Sequence, residues 1–143
     1  MGTTITFKNL TIGYRSKHQL RAVASSIHAP LQEDELTCLI GANGVGKSTL
    51  LRTLSGFQPP LDGEILIQDK PLSDYSAREL AQEIGVVLTN RMDTPQLSVQ
   101  EIIGIGRSPY TGFWGTLSSA DQKIVDEAIR QTGIQHLASR SIT

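Results

Sequence analysis

The stretch ELTCLIGANGVGKSTLLRTLSGF, residues 35–57, contains an apolar run, a glycine-rich turn and a helical pattern, in that order. The turn fits the spacing G-x-x-x-x-G-K-[ST], with Gly41, Gly46, Lys47 and Ser48 at the fixed positions. In such a turn, successive backbone N–H groups point inward and form a concave anion site at the N-terminus of a helix. The sequence therefore predicts a strand, a phosphate-binding loop and a helix over these residues.

The predicted loop combines backbone and side-chain contacts. Its glycines allow positive φ angles and let the backbone approach a phosphate without an intervening Cβ. The Lys47 ammonium is predicted to bind the β- and γ-phosphates, and the Ser48 hydroxyl is predicted to be a ligand of Mg²⁺. The predicted contact residues are Gly41, Ala42, Asn43, Gly44, Val45, Gly46, Lys47, Ser48 and Thr49.

The flanking residues argue against a chance match to the loop pattern. A chain of this length would contain such a match by chance about once in a few hundred cases. Here an apolar strand pattern comes before the turn, and Leu50, Leu51 and Leu54 follow it at helical spacing. This order of elements is the context in which the pattern indicates phosphate binding.

Length and composition favour a single water-soluble domain of the cytosolic type. The chain has 143 residues, and its 13 basic residues nearly balance its 14 acidic ones, so bulk charge does not indicate nucleic-acid binding. The single Cys38 lies in the apolar run and is predicted to be a buried, reduced side chain. No apolar run has the length of a membrane span, and the N-terminus lacks the pattern of a signal peptide.

Strand patterns come both before and after the phosphate loop. Thr3–Tyr14 and Leu20–Leu31 are predicted strands that precede the first helix, which favours antiparallel strands beside a parallel core. The segment Glu64–Gln68 is predicted to be a short strand after an Asp-Gly turn. Gly85–Thr89 is predicted to be a short buried strand.

Three capping patterns predict helices in the second half of the chain. Ser76 and Glu79 cap a predicted helix at Ala77–Glu83, Ser98 and Glu101 cap one that ends at Ile105, and Ser119 and Gln122 cap one from Ala120 to about Gln131. In the last helix, Asp126 and Glu127 follow two apolar residues, like the carboxylates at the end of a catalytic strand. The helical spacing of the apolar residues places both carboxylates on a solvated face instead.

The run GANGVGKSTLLRTLSGFQPPLDGEILIQDKPL, residues 41–72, resembles the ATP-binding subunit of an ATP-binding-cassette (ABC) transporter. The run LSVQEIIGIGRSPYTGFWG, residues 97–115, is similar to importers of iron–siderophore complexes, haem and cobalamin within that family. The resemblance implies an α/β fold, with a P-loop NTPase core and antiparallel flanking strands over residues 1–90. Residues 91–143 would be the beginning of a helical subdomain.

The resemblance also implies two cofactors, ATP and Mg²⁺. Tyr14 stands where the family places an aromatic ring that stacks on adenine, although a core residue at a strand end would occupy the same position. The family usually places a glutamine that touches Mg²⁺ after the strand at Val86–Leu88. This chain has Thr89 there, whose hydroxyl is the predicted second metal ligand and whose side chain is shorter than that of glutamine.

The resemblance further implies protein partners. In this family two ATPase subunits sandwich two ATP molecules, and the helical subdomain contacts a membrane permease. We therefore expect a second copy of the subunit and a permease as partners, no nucleic acid, and a cytoplasmic location on the inner face of the cell membrane. The permease and its binding protein would choose the transported substrate.

The catalytic elements of the family are expected outside these residues. The signature motif, the strand that ends in Asp-Glu and the switch histidine would follow Thr143 in the family pattern. No catalytic residue is therefore assigned in this chain, and we expect weak ATP·Mg²⁺ binding without useful hydrolysis by these residues alone. The intact subunit would be an ATPase that powers import.

Two other functional classes share the phosphate loop. A soluble P-loop nucleotide kinase usually has its loop close to the N-terminus, without the preceding strands or Tyr14. An ABC-type ATPase without a membrane partner, acting in DNA repair or translation, is disfavoured by the importer-like segment Gly106–Tyr110.

Overall fold

The computed structural model describes residues 3–17, 19–88 and 96–142, which form parts of two units, Met1–Ile84 and Gly85–Thr143. The predicted boundary at residue 90 between core and helical subdomain stays a prediction. No helix among the described residues is both long and apolar enough to cross a bilayer. The strands are β1 (Thr3–Arg15), β2 (Leu20–Gln32), β3 (Asp62–Ile67) and β4 (Lys70–Pro71), and the α-helices are α1 (Lys47–Leu54), α2 (Ala77–Glu83), α3 (Val99–Ile105) and α4 (Ser119–Gln131).

The first unit is built on a four-stranded antiparallel sheet with the order β2-β1-β3-β4. Strand β1 is central: Phe7 lies opposite Ala29 of β2 on one side and opposite Ile65 of β3 on the other. The prediction of antiparallel strands before the phosphate loop is confirmed, and the first of them is one continuous strand. Buried side chains of β1 and β3 form the core, and Leu50 and Leu54 of α1 pack against it. The sheet therefore supports the helix that follows the loop.

The prediction of two strands for a parallel core, one before the phosphate loop and one at Gly85–Thr89, is wrong for the described residues. Residues 33–46 and 84–88 form no strand, with Leu36 93% exposed and Val87 100% exposed. Cys38 is also exposed, contrary to the predicted burial. A strand needs a neighbour for its backbone N–H and C=O groups, and the described strands pair with one another instead. An apolar run alone does not supply that neighbour.

In the second unit, α3 packs against α4, with Val125 and Ile129 of α4 buried. The helix predicted around Asp126 and Glu127 is confirmed. The Asp126 carboxylate accepts a hydrogen bond from Gln122 Nε2 at 3.1 Å, and Glu127 forms an ion pair with Arg130. These two carboxylates therefore lie on a helix and do not end a strand.

The capping boxes at Ser76 and Ser98 are present as predicted, but α4 is capped one residue earlier than predicted. The Ser118 hydroxyl accepts from Asp121 N at 3.2 Å, and Asp121 Oδ2 accepts from Ser118 N at 3.0 Å. Ser118 and Ser119 each lie three residues before a side chain that can complete a capping box, Asp121 and Gln122 respectively. Asp121 is also held by a half-buried ion pair, in which Arg107 Nε lies 3.0 Å from Asp121 Oδ1. Hydrogen bonds from Ser118, then from Arg107, hold the pKa of Asp121 below its ordinary value.

Replacing the observed cap serine should destabilise the chain more than replacing the predicted one. The variant Ser118→Ala removes the oxygen that accepts from Asp121 N, and such a loss costs about 1 kcal/mol of the free energy of unfolding. The matched variant Ser119→Ala, at the first helical position, should change that free energy by less than about 0.5 kcal/mol. Denaturant unfolding of both variants makes the comparison. Equal losses would contradict the observed cap.

Candidate functional site

The turn before α1 places Gly46 in the left-handed region, with a φ of 113°. Lys47 follows as the first residue of α1, and Leu50 N closes the first turn by donating to Gly46 O at 2.9 Å. The N–H groups at the start of a helix have no carbonyl partner within it and point outward along the axis. This end of α1 therefore offers backbone donors and the positive end of the helix dipole to an anion.

A close contact with β2 fixes the position of this turn. A Cβ built on Gly46 would lie 2.7 Å from Val23 Cγ1 and 3.8 Å from Ile12 Cδ1. Real Cβ atoms do not approach a neighbour so closely, and a side chain at this φ would also be strained. Glycine at position 46 therefore lets the loop lie directly against the β1–β2 hairpin.

The Lys47 side chain folds back over the loop. Its Nζ donates to Gly41 O at 2.7 Å and to Ala42 O at 2.8 Å. Both acceptors are neutral carbonyls, whereas a phosphate oxygen would be a charged acceptor and make a stronger hydrogen bond. The ammonium is thus held at the loop by contacts that a phosphate can replace.

Tyr14 is tied to the helix that follows the loop. Its hydroxyl lies 3.0 Å from Thr49 Oγ1, within hydrogen-bonding distance, while Thr49 itself is buried. The Tyr14 side chain is nevertheless 54% exposed, which argues against a core residue at a strand end. The ring therefore stands beside the loop with a surface open to a ligand.

These groups line one open pocket of about 340 Å³. Its lining residues are Tyr14, Arg21, Val23, Asn43, Gly44, Gly46, Lys47, Ser48 and Thr49. Of the predicted contact residues, Gly41, Ala42 and Val45 do not line it, although the carbonyls of Gly41 and Ala42 hold Lys47. The loop pattern gave no signal for Arg21 and Val23. They could have been found only from the predicted β1–β2 hairpin, because antiparallel pairing brings the start of β2 beside Tyr14.

The two predicted metal ligands have different outcomes. Ser48 lines the pocket with an exposed side chain, so its hydroxyl is available to an ion carried by a nucleotide. Thr89 lies outside the described residues. Within residues 3–17, 19–88 and 96–142, no three His, Cys, Asp or Glu side chains come together as a metal site. A metal held mainly by phosphate oxygens needs no such cluster.

The sequence pattern of the family described as "ABC transporter" matches residues 24–143 of this chain. The chain belongs to the ABC transporter family. It is 40% identical over 133 residues to a protein of Haemophilus influenzae named "Uncharacterized ABC transporter ATP-binding protein", covering 93% of this chain and 49% of that protein. It is 34% identical over 135 residues to the Escherichia coli "Ferric enterobactin transport ATP-binding protein FepC", covering 94% of this chain and 48% of that protein.

Solved structures show the same family. The structure of cbiO1 from Clostridium perfringens, part of the ABC transporter complex cbiONQ, matches with a TM-score of 0.75 and 27% identity. The match covers 99% of this chain and 55% of that one. The chain thus spans about half the length of the curated relatives described above.

The Gly46 contact predicts a difference between two glycine-to-alanine variants of the loop. Gly44→Ala places a Cβ in open space, so it should cost only the left-handed strain of about 1–2 kcal/mol of the free energy of unfolding. Gly46→Ala adds the overlap with Val23 and should cost at least about 1 kcal/mol more. Denaturant unfolding measures both. A smaller loss for Gly46→Ala than for Gly44→Ala would contradict this account of the loop.

Proposed function

We propose that this chain binds ATP together with Mg²⁺ and forms the nucleotide-binding part of an importer ATPase subunit. The observation that carries the proposal is one pocket in which an exposed aromatic ring faces a phosphate loop at a helix N-terminus. The proposed transported substrates are iron–siderophore complexes, haem or cobalamin-like molecules. The 34% identity to a ferric enterobactin transport protein supports this class.

Each part of the pocket would bind a different part of the nucleotide. The backbone N–H groups at the start of α1 and the Lys47 ammonium would bind the β- and γ-phosphates. The Tyr14 ring would stack on the base, while its hydroxyl contact with Thr49 fixes the ring's orientation. The Ser48 hydroxyl would be a ligand of the magnesium ion, which neutralises phosphate charge. Thr89 stays proposed as a second ligand on the resemblance alone.

Hydrolysis is proposed for the whole protein. Phosphoryl transfer to water needs positioned phosphates, Mg²⁺ and a group that orients the attacking water. The pocket described here provides the first of these and one ligand for the second. We assign no water-orienting group among these residues, consistent with a chain that spans about half of its relatives.

The proposed partners are a membrane permease and a second copy of the subunit, at the cytoplasmic face of the membrane. The second unit has an exposed aromatic pair suited to such a contact. Phe113 is 95% exposed and Trp114 87% exposed, with their rings edge to face at a centroid distance of 5.5 Å. Exposed aromatic residues of this kind are enriched at protein interfaces.

The permease contact can be followed through Trp114, the only tryptophan of the chain. Mixing chain that carries a fluorine-labelled Trp114 with a purified importer permease should give a complex in which the Trp114 signal is shielded from a soluble paramagnetic quencher. The variant Phe113→Ser should weaken the complex, whereas Phe57→Ser, which removes an exposed ring in the other unit, should not. Unchanged quenching in the complex would contradict this contact.

Removing the Lys47 ammonium should reduce nucleotide binding. Lys47→Ala deletes the charged donor of the loop, and we expect at least a tenfold weaker affinity for MgATP because charge-assisted hydrogen bonds are the strong ones. Isothermal titration calorimetry measures the affinity. The control Lys8→Ala removes an equal charge from β1, where Lys8 lies 4.0 Å from Glu64 outside the pocket, and should bind as the wild type does. Failure of the wild-type chain to bind MgATP would refute the proposal.

A further inference from the structure

Arg21 lies directly opposite Tyr14 in the antiparallel pairing of β1 with β2. Side chains of directly opposed residues emerge on the same face of a sheet, with Cβ atoms about 4.5–5.5 Å apart. Both residues line the pocket that contains the phosphate loop. The hairpin register thus brings a guanidinium group beside the ring proposed to hold the base.

The charge in this pocket is unbalanced. Two cationic side chains, Arg21 and Lys47, line it together with no carboxylate. The ion pairs found among the described residues use other cations: Lys8, Lys70, Arg107 and Arg130. A pocket with two cations and no acidic partner has the electrostatics of a site for a polyanion.

The two cations lie at different places along the pocket. Lys47 is held at the loop through the carbonyls of Gly41 and Ala42, where the β- and γ-phosphates are proposed to bind. Arg21 lies beside Tyr14, where the base is proposed to bind. The ribose and the α-phosphate separate the base of a nucleotide from its β- and γ-phosphates. The position of Arg21 next to the base end therefore matches the α-phosphate.

We propose that Arg21 is a further nucleotide-binding residue whose guanidinium binds the α-phosphate. This inference rests on the proposed function of the pocket. The planar guanidinium presents two parallel N–H donors that match two phosphate oxygens. Because ATP and ADP share the α-phosphate, Arg21 strengthens the binding of both by the same factor. Lys47 would instead favour ATP, because it is proposed to bind the β- and γ-phosphates.

The test compares Arg21→Gln with the matched variant Arg15→Gln. Arg15 is one residue beyond Tyr14 on β1 and lies opposite Leu20, outside the pocket lining, so its loss removes the same charge from the same hairpin. Calorimetric titrations of the full chain with ATP, ADP and adenosine give the affinities. We expect Arg21→Gln to weaken ATP and ADP binding equally, by about 5- to 10-fold, as for one partly exposed charge-assisted contact. Adenosine binding and the Arg15→Gln affinities should not change.

Three results would overturn the inference. The first is wild-type affinity of Arg21→Gln for both nucleotides, the second is a much larger loss of affinity for ATP than for ADP, and the third is an equal loss of affinity for adenosine. The conservative variant Arg21→Lys keeps the positive charge but lacks the two parallel N–H donors, so it should recover part of the lost affinity. Such a recovery excludes misfolding as the cause of the loss in Arg21→Gln. If Lys47→Ala abolishes binding while Arg21→Gln leaves it unchanged, only the Arg21 inference fails. If the wild-type chain binds no nucleotide, the proposed function fails as well.

Discussion

The contact between Gly46 and Val23 is the constraint on which the candidate site depends. It requires a glycine, because a Cβ at position 46 would overlap the Val23 side chain. With that glycine present, the loop turns through a left-handed residue directly into α1, and Leu50 and Leu54 of the same helix reach the core of the sheet. The end of α1 that is proposed to bind phosphate is therefore placed by packing that begins in the β1–β2 hairpin.

The same hairpin supplies the opposite wall of the pocket. Tyr14 on β1 and Arg21 on β2 face each other across the ladder, and the Tyr14 hydroxyl contacts Thr49 of α1. The ring proposed to stack on the base and one cation thus come from the β1–β2 hairpin, whereas the other cation comes from the loop itself, more than 20 residues further along the chain. Membership of the ABC transporter family is consistent with this arrangement, and the ATP-binding and transport roles proposed above follow from it.

Features with a local physical cause were predictable from the sequence. The loop pattern predicted the turn into α1, and the capping boxes at Ser76 and Ser98 predicted where α2 and α3 begin. Features that depend on distant partners were not. The apolar runs around Leu36 and Val87 predicted strands that are absent from the described residues. A strand forms only where a neighbouring strand pairs with its backbone N–H and C=O groups, and an apolar run does not show whether such a neighbour exists. Arg21 was missed because only the hairpin register places it opposite Tyr14.

We propose that the backbone at the start of α1 binds the phosphates of a nucleotide while Tyr14 receives its base. A titration of isotope-labelled chain with MgATP, followed by amide chemical shifts in NMR spectra, maps this contact residue by residue. The largest shifts should occur at Gly44, Gly46, Lys47 and Ser48, with smaller shifts at Tyr14 and Arg21. Shifts confined to the second unit, or no saturable shifts in the loop, would contradict it.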